Sequence, residues 1–371
     1  MKIIVDRNKL LEAFKSLLPI VNSNGSGLGI TENVKLEANG DMVLLTGTSL
    51  KIFLSVKVPC EVKEAGSTTL PLKRLNSLIK EMVKGEVTID SGDGDTSSIR
   101  CGSSKFKVNG LSAVEFPACP SLDDKSSSFS ITQDSLRKVL KQASYACGND
   151  ETRVVFRGVL FEIENGKLNV VSTNGRMLAF DTADTVDRLG TDANTKGRFV
   201  IPLMIRDSLL KTLIQSDSEV HIRFSKNCVL FNFGDVELYT KVIDGEYPNY
   251  KQVMPTNLDR MAIVEKAKAV SMLRLVSVVS DDKFKTVSVC FETNKMTINC
   301  TSPQIGYAQD SIDVDYSGSE LKICLCADYL LSIFESLETV NVGINMSDGF
   351  YPVKILGEKD SFAILMPIKL N

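Results

Sequence analysis

The sequence predicts an α+β fold: three repeated domains, each with two helices and mostly antiparallel sheets. Three observations carry this. A strand-then-helix opening recurs three times, a hairpin follows each opening, and a second strand–helix unit lies inside each copy. The openings run from Met1 to Val21, Phe129 to Ala146 and Met261 to Ser280. Leu136, Val139, Leu140 and Ala143 form an i, i+3, i+4, i+7 stripe in the second, as do Ala269, Met272, Leu273 and Val276 in the third.

The first hairpin spans Val34 to Leu44 with Asn39-Gly40 inside it, and the second spans Val159 to Val170 with Asn165-Gly166. Asn-Gly between alternating apolar residues signals a tight turn, because both central residues must take φ > 0. The third hairpin, Val287 to Ile298, turns at Glu292 to Lys295 without glycine. The second strand–helix units are Ser67 to Val83, Gly197 to Ile214 and Glu320 to Leu337. Pro71 and Pro202 are expected at the first helical position, where a missing N–H costs nothing. Leu75, Leu78, Ile79 and Met82 make one stripe; Leu330, Ile333, Phe334 and Leu337 make its counterpart. Each copy closes on a strand and a proline: Phe116-Pro117, Tyr247-Pro248 and Met366-Pro367. The six units recur about every 60 to 70 residues. They predict domains at 1–124, 128–254 and 255–371, divided by the polar stretch Ser121 to Ser128 and by Met254 to Asp259.

Composition excludes several classes of function. The 371 residues are 43% hydrophobic, enough for a sizeable core, and the net charge is only -3. No apolar run is long enough to span a bilayer, and the N-terminus lacks a signal-peptide pattern, so a cytoplasmic protein is expected. The nine cysteines are scattered; Cys324 and Cys326 alternate as on a strand and no C-x-x-C occurs. Reduced thiols, no metal and no cofactor are the expectation. The one histidine, His221, lies in an alternating strand and reads as an edge residue. Gly25-Ser26-Gly27-Leu28-Gly29 lacks the Lys-Ser/Thr of a phosphate loop, and Asp90 to Asp95 lacks the distal Glu of a calcium loop. No catalytic residue is expected, and the chain reads as a non-enzyme.

Charge has a pattern by element. The six predicted helices carry Arg7, Lys9, Lys15, Lys73, Arg74, Lys80, Lys84, Arg137, Lys138, Lys141, Arg206, Lys211, Lys266, Lys268 and Arg274. Against these stand Asp6, Glu12, Glu81, Asp134, Asp207, Glu265, Asp328 and Glu335, so the rest of the chain is net negative. A basic helical surface in an acidic protein suits a polyanion met on one face, and Lys9, Lys15, Lys73, Arg74, Lys80, Arg137, Lys138, Lys141, Arg206, Lys211, Lys266 and Arg274 are its candidate DNA-facing residues. Helices about 10 Å wide, set side by side, would enclose a hole too tight for a duplex with six and wide enough with twelve, from two chains. No base-reading motif is present, so contacts would go to phosphates, without sequence preference.

Several segments resemble one family. They are Met1 to Arg7, Leu45-Thr46-Gly47-Thr48, Gly158 to Glu162, Thr173-Asn174-Gly175-Arg176-Met177-Leu178-Ala179, Val242 to Tyr250, Ser280 to Phe284 and Leu365 to Leu370. In order and end to end, they are similar to the bacterial polymerase III β subunit. The resemblance implies a head-to-tail homodimeric ring with twelve helices inside, a sliding clamp. It implies duplex DNA, the replicative polymerase, a clamp-loader ATPase and other clamp-binding-motif repair and replication proteins as partners. It also implies a partner-peptide pocket made by Phe156, Thr173, Gly175, Arg176, Met177, Leu178, Pro248, Gln252, Val253, Ile364, Met366, Pro367 and Ile368, and a dimer interface at Phe106, Val108, Val278 and Val279. This chain departs from the family where Asn174-Gly175-Arg176-Met177 replaces Asp-Gly-His-Arg, where Gln252 replaces a basic residue, and where Lys369 replaces Arg. The loop Ser23 to Gly29 lacks a basic residue often found there. The alternative reading is a monomeric β-rich peptide-binding scaffold that does not act on DNA; oligomeric state separates the two.

Overall fold

A computed structural model describes residues 1–22, 29–83, 85–92, 94–122, 126–150, 152–186, 195–280 and 285–369. Lys84, most of the Ser23 to Gly29 loop, Asp93, the middle of the Ser121 to Ser128 stretch, the segment 281–284 and Leu370 lie outside the described residues.

The first copy contains β1 (Lys2–Asp6), α1 (Arg7–Asn22), β2 (Asn33–Asn39), β3 (Met42–Thr48), β4 (Ile52–Pro59), β5 (Glu61–Glu64), β6 (Gly66–Pro71), α2 (Leu72–Glu81), β7 (Glu86–Ser91), β8 (Thr96–Cys101) and β9 (Ser104–Asn109). The second contains β10 (Ser127–Thr132), α3 (Gln133–Ala143), β11 (Gly158–Glu164), β12 (Lys167–Thr173), β13 (Met177–Asp184), β14 (Gly197–Pro202), α4 (Leu203–Thr212), β15 (Glu219–Phe224), β16 (Cys228–Phe233) and β17 (Val236–Lys241). The third contains β18 (Arg260–Glu265), α5 (Lys266–Ser277), β19 (Thr286–Glu292), β20 (Lys295–Ser302), β21 (Gly306–Asp313), β22 (Leu321–Cys326), α6 (Ala327–Ser336), β23 (Asn341–Met346), β24 (Val353–Leu356) and β25 (Phe362–Leu365). Every strand pairing is antiparallel.

Local chemistry explains where elements begin. Asp6 closes β1 and accepts the backbone N–H groups of Asn8 and Lys9 at 2.9 and 3.0 Å, which caps α1. Asp6 therefore belongs to a cap, not to a helix face. Pro71 is likewise one residue earlier than expected. It ends β6 and sits at the N-cap of α2 with ψ 109°, and Pro202 ends β14 just before α4. The missing N–H falls outside the helix in both places.

The two glycine hairpins differ. Asn165 and Gly166 both have positive φ, 54° and 71°, and Glu164 pairs with Lys167, as an Asn-Gly turn requires. In the first hairpin Asn39 pairs with Met42, so the loop residues are Gly40 and Asp41, and only Gly40 has positive φ. The register is one residue later than the Asn-Gly pattern suggests, because Leu36 and Ala38 must stay on the buried face.

The strands form four sheets, and the copies do not keep their sheets to themselves. The two smaller sheets are β5-β1-β7-β8-β9 and β21-β20-β19-β22. Two eight-stranded sheets run β10-β15-β16-β17-β4-β3-β2-β6 and β14-β11-β12-β13-β25-β24-β23-β18. Each merges half of one copy with half of the next, through β17–β4 and β25–β13. The chain accordingly packs as two compact units that share out the central copy. The first is Met1–Asp134, Thr185–Thr195 and Met204–Val242; the second is Ser135–Asp184, Lys196–Leu203 and Ile243–Asn371.

In the first unit α1 buries Leu10, Phe14 and Leu17, and α2 buries Leu75 and Ile79. Leu78, expected in that stripe, is only half-buried. In the second unit Met272, Leu273 and Val276 of α5 meet Leu330, Ile333 and Phe334 of α6 above the inner face of β19, β20 and β22. Burying such aliphatic and aromatic side chains contributes about 1.5–3 kcal/mol each.

One buried carboxylate works against this packing. Asp181 on β13 is 6% exposed and accepts the Thr182 N–H at 2.9 Å. Burial pushes its carboxyl from 3.8 up to about 6; Asp360 and Glu338 add to the rise, while the Thr182 N–H and Lys138 oppose it. A carboxyl whose folded value is raised holds its proton more tightly when folded. Stability therefore falls as pH rises from about 4 to about 6 and stays reduced above that. Asp181→Asn is expected to stabilise the second unit by ~2 kcal/mol at pH 7.5, with no gain near pH 4. Urea denaturation at both pH values checks this, and an equal effect at both would contradict it.

Candidate functional site

A cleft of about 210 Å³ lies wholly within the second unit. The loop between β12 and β13 forms one wall. Asn174 shapes it by accepting the N–H groups of Arg176 and Met177, both at 2.9 Å. Thr173 accepts the Gly175 N–H at 3.0 Å and donates to the Met177 carbonyl at 2.7 Å. Gly175 has φ +83°, a conformation that L side chains rarely adopt, so the loop calls for glycine here.

The strand β25 makes the floor. Its pairing with β13 sets Ile364 opposite Leu178, and the Met366 N–H continues the ladder to the Arg176 carbonyl at 2.9 Å. The Ile368 N–H then bonds the Cys324 carbonyl at 2.8 Å and fastens the tail to β22. The remaining wall is the turn Tyr250–Val253, capped by Asn249 accepting the Lys251 N–H at 3.2 Å. Behind it Tyr250 donates to Glu162 at 2.6 Å, and burial together with that carboxylate raises its phenol well above the ordinary value. Phe156 packs edge-on against Tyr247 with centroids 6.2 Å apart.

The cleft brings together Phe156, Thr173, Gly175, Arg176, Met177, Leu178, Pro248, Val253, Ile364 and Met366. Gln252, Pro367 and Ile368 do not line it; Gln252 is exposed on the turn, and the other two follow Met366 in the tail. Asn249 and Tyr250 line it and were not foreseen. Neither was Arg153, whose guanidinium lies 4.7 Å over the Phe156 ring and pairs with Asp150 at 3.0 Å. Hydrogen bonds from Thr152 and Arg153 hold the Asp150 carboxyl down at about 2. Nothing in the local sequence marks Arg153, because its place depends on the short helical turn Val154–Arg157 that follows it. Met366 and Val253 are 43% and 52% exposed at the mouth, so the apolar lining is open to a ligand. An apolar cleft with backbone and guanidinium groups at its rim suits a short peptide anchored by aliphatic or aromatic side chains.

The candidate helix cations divide into two groups. Lys9, Lys15, Lys73, Arg74, Lys80 and Lys211 are exposed and, like Arg137, have no carboxylate within 4 Å among the described residues. Others are already engaged: Lys138 with Glu358 at 3.1 Å, Lys141 with Glu338 at 2.6 Å, Arg206 with Asp207 at 2.8 Å and Arg274 with Glu335 at 2.7 Å. Lys266 donates to the Leu337 carbonyl at 2.7 Å. Glu265 ends β18 and does not belong to a helix.

The candidate interface residues sit at strand edges and a helix end. Phe106, 41% exposed, and half-buried Val108 lie on β9, which pairs only with β8 in its sheet. Val278, 75% exposed, and half-buried Val279 follow α5. Phe106 shares a groove of about 550 Å³ with Lys73, Arg74, Leu78 and Glu81 of α2.

The other polar features have structural roles. His221 and Ser130 are register partners on β15 and β10, joined by a 2.8 Å hydrogen bond, and Ser130 is buried. All nine cysteines are free thiols. Among the described residues no cluster of His, Cys, Asp and Glu is arranged to hold a metal, and no helix is long and apolar enough to cross a membrane.

Comparison with known proteins agrees along the whole chain. Residues 1–120 match the N-terminal domain of the DNA polymerase III beta subunit, 130–249 its central domain and 251–369 its C-terminal domain. The beta sliding clamp of Chlamydia muridarum is 25% identical over 371 residues, and that of Escherichia coli K12 is 24% identical over 375; both alignments cover 100% of each chain. In fold, the chain is similar to the crystal structure of a sliding clamp from Pseudomonas aeruginosa, with TM-score 0.93 at 24% identity. A Bacillus subtilis clamp gives TM-score 0.92 at 23% identity, and both cover 100% of each chain. With all three domain models matched in order, this chain belongs to the DNA polymerase III beta subunit family.

Proposed function

We propose that the protein is a DNA sliding clamp. Two copies close head to tail into a ring around duplex DNA, and the Phe156–Met366 cleft tethers the replicative polymerase and other clamp-binding proteins to it. It does no chemistry itself, acts in the cytoplasm, and depends on an ATP-driven loader to be opened. Held on DNA by topology, it keeps a dissociating polymerase at high effective concentration.

The observation that carries this is the set of strands left over from the repeat. In repeat order β4, β13 and β21 are equivalent, as are β9, β17 and β25. Within the chain β17 joins β4 and β25 joins β13, both antiparallel. Among the described residues only β9 and β21 lack the corresponding partner, and each ends its sheet. A β9–β21 join between copies repeats the internal rule and closes on itself with two chains. The chemistry is complementary: Lys105 and Lys107 flank Phe106 on β9, while β21 carries Asp310, Asp313 and 60%-exposed Tyr307.

Phe106→Asp tests the reading. A charge at the centre of the join is expected to raise the dimer dissociation constant at least ~100-fold, the scale of an interface hot spot. Light scattering at micromolar concentration should show the mass halved and retention on circular DNA lost, with peptide binding intact. A wild-type protein that is itself monomeric would favour the peptide-binding scaffold without DNA.

A further inference from the structure

We infer that the grip on duplex phosphates is uneven: it is carried by the free cations of α1 and α2, and the α5–α6 pair contributes little. The inference rests on the sliding-clamp reading and goes beyond it by assigning the contact to particular helices.

The first copy keeps its cations available. Asp6, three residues before Lys9, is committed to capping the helix. Glu12, three residues from both Lys9 and Lys15, is exposed and makes no ion pair with either among the described residues. Arg7 ties the two helices together, with Nε on the Ile79 carbonyl at 2.9 Å and Nη2 on the Lys80 carbonyl at 2.6 Å. That bond holds the start of α1 against the end of α2, leaving Lys9, Lys15 and Lys80 exposed and without an ion pair among the described residues. Lys73 and Arg74 are equally free, but they share the groove with Phe106 and adjoin the proposed join.

The third copy has the opposite arrangement. Lys268 pairs with Glu265 at 2.7 Å and Arg274 with Glu335 at 2.7 Å, while Lys266 is held by the Leu337 carbonyl. The helix α6 has no Lys or Arg and brings Asp328 and Glu335. The second copy is intermediate, with Lys138 and Lys141 paired to Glu358 and Glu338 and Arg137 free.

These pairs matter because phosphate binding draws on counterion release. A free lysine exchanges a salt ion for a phosphate; a paired lysine must first give up a carboxylate. The displaced carboxylate stays within a Debye length of the phosphate and repels it. Exposed pairs are individually weak, so the effect is graded and should be read by comparison.

The test compares two dimers that have lost equal charge, Lys9→Gln/Lys15→Gln/Lys80→Gln and Lys266→Gln/Lys268→Gln/Arg274→Gln. Binding to a short fluorescent duplex is measured by anisotropy across a salt series, with gel filtration confirming dimers. The first variant, which loses six charges per dimer, is expected to bind at least about 10-fold more weakly at low salt and to flatten the log K against log salt slope by up to about five. The second should lose less than about 2-fold, with the slope nearly unchanged. Equal losses, or a larger loss from the second set, overturn the inference. Should a triple variant fail to dimerise, Lys80→Gln against Arg274→Gln makes the same comparison. Retention of wild-type protein on nicked circles is scored in parallel. If it is retained while the two sets lose equally, only this inference fails; if it is not retained, the clamp reading fails and takes the inference with it.

Discussion

Deletion of residues 366–371 is expected to abolish binding of a partner peptide while leaving the dimer intact. The tail is not an appendage to the cleft but part of its lining. Met366 is held in place by its N–H on the Arg176 carbonyl, and the chain beyond it is fastened by Ile368 to Cys324 on β22. Removing it strips one side of the apolar lining and exposes Leu178 and Ile364 to water. Neither β9 nor β21 touches the deleted segment in sheet order, so the proposed join is spared. Loss of an anchoring pocket of this kind costs upward of ~3 kcal/mol, more than 100-fold in affinity. Titration of a labelled peptide with aliphatic and aromatic anchors reads the effect. Met366→Asp should weaken binding in the same direction with the backbone still present. Unchanged affinity in both variants would place the partner elsewhere.

The residues expected at this cleft came from the family resemblance, and the structure supplies a local reason for one of its walls. The turn Thr173 to Met177 is local: its hydrogen bonds join residues two to four apart, and Asn174 and Gly175 are the residue types such a turn demands. The helices were legible, because an apolar stripe of period 3.6 is written along the chain itself. What could not be read was long-range. The ion pairs that quiet Lys138 and Lys141 reach to Glu358 and Glu338, 220 and 197 positions away. From composition all the helix cations looked alike; only the fold separates free Lys80 from engaged Arg274. The merging of sheets across copies was also hidden. Alternation shows that β4 and β17 are strands but not that they are neighbours. Arg153 escaped notice for the same reason, since the Phe156 ring beneath it is placed by the short helical turn between them. Where the sequence pattern misled, at Gly40, burial of Leu36 and Ala38 overrode the local turn preference.

The largest effect concerns topology. A protein that holds DNA by contact dissociates at a rate set by salt and affinity, whether or not the DNA has ends. A closed ring does neither: weak phosphate contacts let it slide, and closure keeps it on. The free cations among the described residues, Lys9, Lys15, Lys73, Arg74, Lys80, Arg137 and Lys211, contact phosphates without sequence preference, which suits sliding. The decisive measurement loads the dimer onto a nicked circular plasmid with an ATP-driven clamp loader, then cuts the plasmid once and follows protein–DNA co-elution over time. The account predicts stable co-elution on the intact circle and loss of at least nine-tenths of the protein after the cut. Equal retention on cut and uncut DNA would contradict it.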